Sequence, residues 1–355
     1  MNVYDELQLN QAGSKQLIKK AQSHRDKLRH SLIYLFKVLI TVAFCMVFVM
    51  AYGAVFQNDN SIVGVVVLLC ILVFRQADLG IDARHSLLSL AVIFGILAFA
   101  PKAAAVTAPL PSFLIHLASI FTLMFLGCHN VVMFNHATLV LSYLLLFGYD
   151  VSGTSYLYRL AGLLLGFLLT AAVFYRNHKN SSYKRNLSHL FDEFDLSSSR
   201  TRWYLTLTFG VSTLLFVSQL TGLPRPMWAG IAAMSVLAPF RKDQKARAYA
   251  RIPGNLAGGA LFCVIYSVMP ASLHPFIGLL GGVGVGFSAT YGWQSVFNSL
   301  GAIYVAADIL TLPGAVFFRI FNNALGAVYA LVFAWLFGKA LDYLAAHSSA
   351  KARNA

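Results

Sequence analysis

Apolar runs long enough to cross a lipid bilayer recur along almost the whole chain, and they constrain the fold more than any other feature. A hydrocarbon core of about 30 Å needs roughly 17–25 helical residues. Inside it every backbone amide must be bonded within its own helix or around a closed barrel. No stretch alternates in polarity as barrel strands do, so the runs are read as helices. Composition agrees: 58% of the 355 residues are hydrophobic and 11% charged, against about 25% charged in a soluble domain.

The runs lie near 32–55, 61–75, 85–101, 110–128, 131–148 and 157–175, and then near 203–221, 227–240, 252–270, 273–290, 293–310 and 314–338. The expected fold class is an all-α integral membrane protein with about 12 transmembrane helices as two parallel six-helix repeats. The expected organisation is a basic N-terminal interfacial segment 1–31, a first repeat 32–175, a basic cytoplasmic linker 176–201, a second repeat 202–343 and a cytoplasmic tail 344–355. The first thirty residues are polar and basic, without the short apolar core and small-residue cleavage site of a signal peptide.

Charge placement supports this topology. With the N-terminus inside, all but Lys102, Arg159, Arg225 and Arg319 of the 27 basic residues fall on the cytoplasmic side, as the positive-inside bias requires. The net charge of +14 is then a topology determinant facing anionic headgroups, and nucleic acid is not expected as a partner. The stretch Lys15 to Lys37 mixes apolar and basic residues at near-helical spacing and is read as an interfacial helix running into the first span. Cys45, Cys70, Cys128 and Cys263 show no metal or disulfide spacing and are expected to pack as small hydrophobes.

An internal repeat is visible when the halves are laid on each other. Leu39 falls on Leu205, Gly64 on Gly230 and Phe74-Arg75 on Phe240-Arg241; further on, Phe134-Asn135 falls on Phe297-Asn298, and Arg159 and Gly166 on Arg319 and Gly326. Each repeat holds an even number of spans, so the halves run parallel about an axis along the membrane normal.

Charges inside a bilayer are costly, about 2.5–3.5 kcal/mol for Arg at a helix centre, so those near the spans are functional candidates. Arg159 and Arg319 lead, as symmetric guanidinium forks able to orient a carboxylate; snorkelling into outer headgroups is the plainer alternative. Arg75, Arg241, Arg247 and Arg251 flank the inner ends of spans and could form a positive vestibule. Asn135 and Asn298 join the expected substrate contacts by repeat symmetry. Asp308, Asp150 and His136 are the coupling candidates, Asp308 being the more buried in appearance; His116 is a second histidine within an apolar run. The four-residue spacing of Gly254 and Gly258, and of Gly278, Gly282 and Gly286, marks close helix contacts. No phosphate loop, HExxH, Gly-x-Ser-x-Gly elbow or paired cysteines occur, so neither a cofactor, a metal nor an enzymatic activity is expected.

The segment Pro226 to Pro270 resembles the fusaric acid resistance or aromatic acid exporter superfamily. The shared features are Pro226 and Trp228 entering an apolar span, Pro239 at its end, a basic loop, then Arg251-x-x-Gly254-x-x-x-Gly258; the later Arg319 and Gly326 look like its second signature. The resemblance implies a bacterial inner-membrane exporter of aromatic or other organic carboxylates, driven by the proton gradient, and a distant relation to plant malate channels. The partners it implies are membrane lipid, a small organic anion, a periplasmic adaptor (membrane fusion) protein and a second copy of the chain. Asn255 stands where the family commonly has Thr, and Arg84-His85 of the first half lacks the following glycine pair. A passive organic-anion channel of the same fold is one alternative. A major-facilitator-like drug antiporter is another, although FRQADLGIDAR lacks its full loop motif. A membrane enzyme acting on lipid-linked substrates would need a cluster of polar catalytic residues at one membrane face, and outer loops this short and acid-poor argue against it.

Overall fold

The computed structural model describes residues 2–9, 11–181 and 183–353, the side chains of 11, 12 and 345–353 excepted. Of the expected tail 344–355, residues 344–353 continue α15 and 354–355 lie outside the described residues. In chain order the helices are α1 (Val3–Gln8), α2 (Gln11–Lys20), α3 (His24–Phe56), α4 (Ser61–Phe74), α5 (Ala83–Val106), α6 (Pro109–Gly127), α7 (His136–Gly148) and α8 (Gly153–His178). They continue as α9 (Leu187–Asp192), α10 (Ser199–Leu220), α11 (Pro226–Val236), α12 (Arg241–Val268), α13 (Ile277–Phe287), α14 (Tyr291–Leu310) and α15 (Leu312–Arg353). No strand occurs among the described residues.

Each apolar run contains a helix. Six helices, α3, α5, α6, α8, α10 and α15, are long and apolar enough to cross a bilayer; α4, α7, α11 and α13 are apolar but shorter. Local chemistry sets these lengths. Pro226 stands in the first turn of α11, where its missing N–H costs nothing. Pro239 prevents α11 from continuing through the run 227–240, so residues 237–240 are irregular. The run 131–148 begins with a 3₁₀ turn, Val131–Met133, and Phe134 in the left-handed region (φ 53°), which delays α7 to His136. The basic stretch Lys15 to Lys37 is not one helix: it breaks at Ala21–Ser23, where the Ser23 hydroxyl accepts the Arg25 amide (3.2 Å) at the start of α3.

The chain forms two compact units, Met1–Phe48 with Pro253–Arg319, and Val49–Ile252 with Ile320–Ala355. In the first unit Gly254, Gly258 and Gly286 mark close approaches, as their spacing predicts, whereas a Cβ on Gly278 or Gly282 would meet its nearest neighbour only at an ordinary 3.8 Å. A Cβ on Gly254 would meet the Gly292 carbonyl of α14 at 2.8 Å, and one on Gly258 the Val296 carbonyl at 2.5 Å. Gly286 of α13 lies against Val38 of α3 (2.6 Å), where Tyr34 donates to the Gly286 carbonyl (2.8 Å). Buried Glu6 of α1 meets His30 at 2.6 Å, which ties the N-terminal helices to α3.

In the second unit α7 is packed by α4, α5, α6 and α11. Gly166 of α8 admits Val67 of α4, and the Tyr52 hydroxyl donates to the Gly162 carbonyl at 2.7 Å. Gly326 of α15 rests on the backbone of α11, where a Cβ would stand 2.8 Å from that of Ala232 and 3.0 Å from the Ala229 carbonyl carbon. On the face that carries the basic linker, Asn135 donates to the Asp78 and Gly127 carbonyls (2.9 and 2.8 Å), joining the α4–α5 loop to the end of α6. Beside it Glu193 holds Arg200 (3.0 Å), Arg185 (3.1 Å) and His129 (3.3 Å).

Candidate functional site

The early end of α11 leaves carbonyls that no further turn can satisfy, and polar side chains of the second unit converge on them. Trp203 of α10 donates through Nε1 to the Leu237 carbonyl (2.8 Å), and Gln244 of α12 to that of Ala238 (2.7 Å). Arg247 and Arg251, four residues apart and so on one face of α12, both turn to Ser235. Arg247 Nη1 donates to its carbonyl (3.2 Å) and Arg251 Nη1 to its hydroxyl (2.7 Å), while Arg251 Nε donates to Asn323 Oδ1 of α15 at 2.9 Å. Arg251 is buried at 8% exposure. Its charge is compensated by the negative end of the α11 dipole and by the neutral oxygens of Ser235 and Asn323.

Aromatic rings enclose the same corner. The left-handed backbone of Phe134 aims its ring at Arg247 (guanidinium 5.6 Å from the centroid), His136 (5.9 Å) and Phe240 (6.1 Å). His136 stands perpendicular to Trp203, centroids 5.1 Å apart. It is fully buried, and neither ring nitrogen has a hydrogen-bond partner. Burying a polar group without a partner costs several tenths to about 3 kcal/mol and calls for an occupant or a function. A cavity of about 280 Å³, bounded by Arg202, Trp203, Pro239, Arg241 and Gln244, opens beside Trp203. Of the corner's side chains Trp203 and Gln244 line this cavity, while Arg247, Arg251, Phe134 and His136 stand behind it; guanidiniums, aromatic faces and an imidazole are the chemistry that suits a ring carrying a carboxylate.

The other expected residues are placed as follows. Arg159 is buried at 3% exposure and donates through Nε to Asn60 Oδ1 (3.1 Å), through Nη1 to the Leu146 carbonyl (3.3 Å) and through Nη2 to that of Tyr149 (2.6 Å). It caps the C-terminal end of α7, where a cation is favoured, and Arg225 donates to the Gly148 carbonyl there at 3.3 Å. Snorkelling into headgroups does not describe Arg159. Arg319 is likewise buried and reaches the Asn298 carbonyl at 3.5 Å, while the Asn298 side chain is exposed. Arg75 ends α4 and is exposed; Arg241 begins α12 and is exposed. Asp150 forms an ion pair with Lys102 (2.8 Å), which also donates to the Val151 carbonyl (2.8 Å). Asp308 is exposed on α14, contrary to its buried appearance in sequence. His116 is buried between the Tyr143 hydroxyl (2.7 Å) and the Ser112 hydroxyl (3.3 Å), a packed and satisfied histidine.

Ser235 and Asn323 were not singled out by sequence reasoning. Asn323, an amide within an apolar span and four residues after Arg319, carried a usable signal, because polar groups there are expensive. Ser235 carried none, since serine is ordinary at helix contacts.

The description fusaric acid resistance protein-like belongs to a family that matches residues 212–333. No curated protein and no solved structure matches the chain. The match begins within α10, ends within α15, and takes in Ser235, Arg247, Arg251, Arg319, Asn323 and Gly326. Residues 212–333 are thus similar in sequence to that family, and this segment supplies both arginines of the α11–α12 corner.

Proposed function

We propose that the chain is a bacterial inner-membrane efflux transporter that exports aromatic or other organic carboxylates in exchange for protons. Both termini are cytoplasmic, and twelve spans form two parallel six-helix repeats. The observation that carries this reading is the corner where Arg247 and Arg251 meet Ser235 beside Phe134, Trp203 and the partnerless His136. A carboxylate entering from the basic side exchanges water for guanidinium N–H groups, and its ring takes the aromatic faces. An anion beside His136 favours a proton on the imidazole, and by linkage the proton favours the anion. That reciprocity is the simplest device for coupling the two.

Packing supports the repeat. Gly166 and Gly326, paired in the sequence, both sit where a long helix crosses a short one, α8 on α4 and α15 on α11. Their partners Arg159 and Arg319 both donate to backbone carbonyls, of the α7 end and of α14 respectively. Arg159 uses three of its five N–H groups on these bonds and Asn60. In this reading Arg159 and Arg319 attract the anion on the outer side and Arg75 and Arg241 on the inner side, with Asn135 and Asn298 lining its path. Asp150 and Asp308 serve proton exchange at the outer ends, and a periplasmic adaptor receives the product.

The test is efflux of a radiolabelled aromatic carboxylate from proteoliposomes under an imposed pH gradient. Arg251→Lys keeps the charge but loses the fork, and should lower transport about tenfold or more; His136→Leu should leave anion movement no longer dependent on the proton gradient. Wild-type rates in both variants, or an anion current without proton flux in the wild type, would overturn the coupled-exporter reading.

A further inference from the structure

A larger cavity, about 680 Å³, lies within the second unit between the first turns of α12 and the charged end of α15. Its α12 wall is Arg241, Lys242, Lys245 and Tyr249, spaced along one side of the helix; its α15 wall is Leu331, Ala334, Trp335 and Lys339. The volume falls in the range of ligand sites, about 300–1,000 Å³.

The charges in it are unbalanced. Asp342 is the one acid on the wall and is engaged by Arg202. Arg241, Lys242, Lys245 and Lys339 enter no ion pair among the described residues. Lys339 stands 4.0 Å over the Trp335 ring, which fixes its ammonium at the mouth of the cavity.

The depth of the cavity follows from the sequence of α15. Between Arg319 and Lys339 no charged residue occurs, and at 1.5 Å per residue that stretch spans about 30 Å, one hydrocarbon thickness. Lys339 thus sits at headgroup level. Trp335 one turn below it is 59% exposed and Tyr249 opposite is 73% exposed, as in an interfacial aromatic belt. Leu331 and Ala334 continue the wall toward the apolar side. The cavity is cationic where headgroups lie and apolar where acyl chains begin.

The geometry points to a site for one anionic phospholipid. Its phosphodiester lies among Lys242, Lys245, Lys339 and Arg241, and an acyl chain lies along Trp335, Ala334 and Leu331. Basic pockets at the cytoplasmic ends of membrane helices hold anionic headgroups by this chemistry. Assignment to the inner leaflet rests on the proposed topology; the site itself does not.

The experiment uses the full chain in nanodiscs of phosphatidylcholine with a minor fraction of phosphatidylglycerol, with retained lipid counted by native mass spectrometry. Wild type should keep phosphatidylglycerol selectively, and millimolar glycerol phosphate should not displace it. The triple variant Lys242→Gln, Lys245→Gln, Lys339→Gln should weaken retention about tenfold to a hundredfold. Lys19→Gln, Lys20→Gln, Lys27→Gln removes equal charge elsewhere and should retain the lipid as wild type does. Should the first triple variant fail to fold, Leu331→Trp, which fills the acyl slot, should lower retention without a change of charge. Equal loss in both triple variants, displacement by glycerol phosphate, or undiminished retention in the cavity variants would overturn the assignment. None of these readings depends on transport, so failure here is distinct from failure of the exporter reading.

Discussion

Gly326 gives a quantitative test of how the family-matched segment is packed. Converting it to Ala adds one methyl whose nearest neighbours are the Ala229 carbonyl, the Ala232 Cβ at 2.8 Å and the Ala229 carbonyl carbon at 3.0 Å. Ordinary contact begins near 3.4 Å, and the obstruction is largely α11 backbone, which cannot rotate away as a side chain can. Overpacking of this kind costs about 1–3 kcal/mol, against up to about 1 kcal/mol returned by the better helix propensity of Ala. The net loss should be about 1–2 kcal/mol, or a fall of several degrees in Tm at about 2–4 °C per kcal/mol. Gly95 of α5 is the control, since nothing lies within 4 Å of the position its Cβ would take, and Gly95→Ala should leave Tm unchanged or raise it slightly. Thermal unfolding in detergent can be followed by a thiol-reactive dye, because Cys70 and Cys128 are free and buried, while exposed Cys263 sets the baseline. If Gly326→Ala matched Gly95→Ala in Tm, the close crossing of α15 on α11 would be refuted.

Asn60 donates to the Phe56 and Ser155 carbonyls (2.9 and 2.8 Å) and accepts from Arg159, so Asn60→Leu should destabilise by about 2–4 kcal/mol, read as a lower Tm, by leaving buried partners unsatisfied. On the linker face, burial and the charge of Arg200 lower the His129 imidazole to about 4 despite Glu193. Between about pH 6.5 and 4 the opened cluster therefore binds more protons than the closed one, so stability is full above that window and lost as pH falls through it. With screening discounted, the loss should be about 1–2 kcal/mol, seen as faster amide exchange of α9, corrected for intrinsic rate, and absent in His129→Gln.

Hydropathy made a helix readable in every apolar run, because the cost of unbonded amides in lipid leaves little choice. What it could not locate were interruptions set by single residues. Phe134 in the left-handed region and the stop at Val236 fall inside continuous apolar sequence, and both create the corner where Arg247 and Arg251 bind. Arg251 was legible as a candidate because a charge near a span is conspicuous. Its partners Ser235 and Asn323 depend on which helix faces it across the unit, which one sequence does not encode locally. The buried look of Asp308 misled for a related reason: α14 is apolar on most sides, so its pattern does not tell an enclosed face from an exposed one. Arg159 is legible in sequence as a charge near a span, but its capping of the α7 end and its bond to Asn60, 99 residues away, are not.

In the proposed exchange an organic carboxylate moves against protons through the Arg247–Arg251 corner. Counterflow in proteoliposomes with an imposed pH gradient, comparing an aromatic carboxylate with a neutral phenol and a cationic dye, tests it most directly. The carboxylate alone should accumulate, and collapse of the pH gradient should abolish its accumulation. Accumulation of the dye or the phenol in its place, or carboxylate movement indifferent to the gradient, would contradict it.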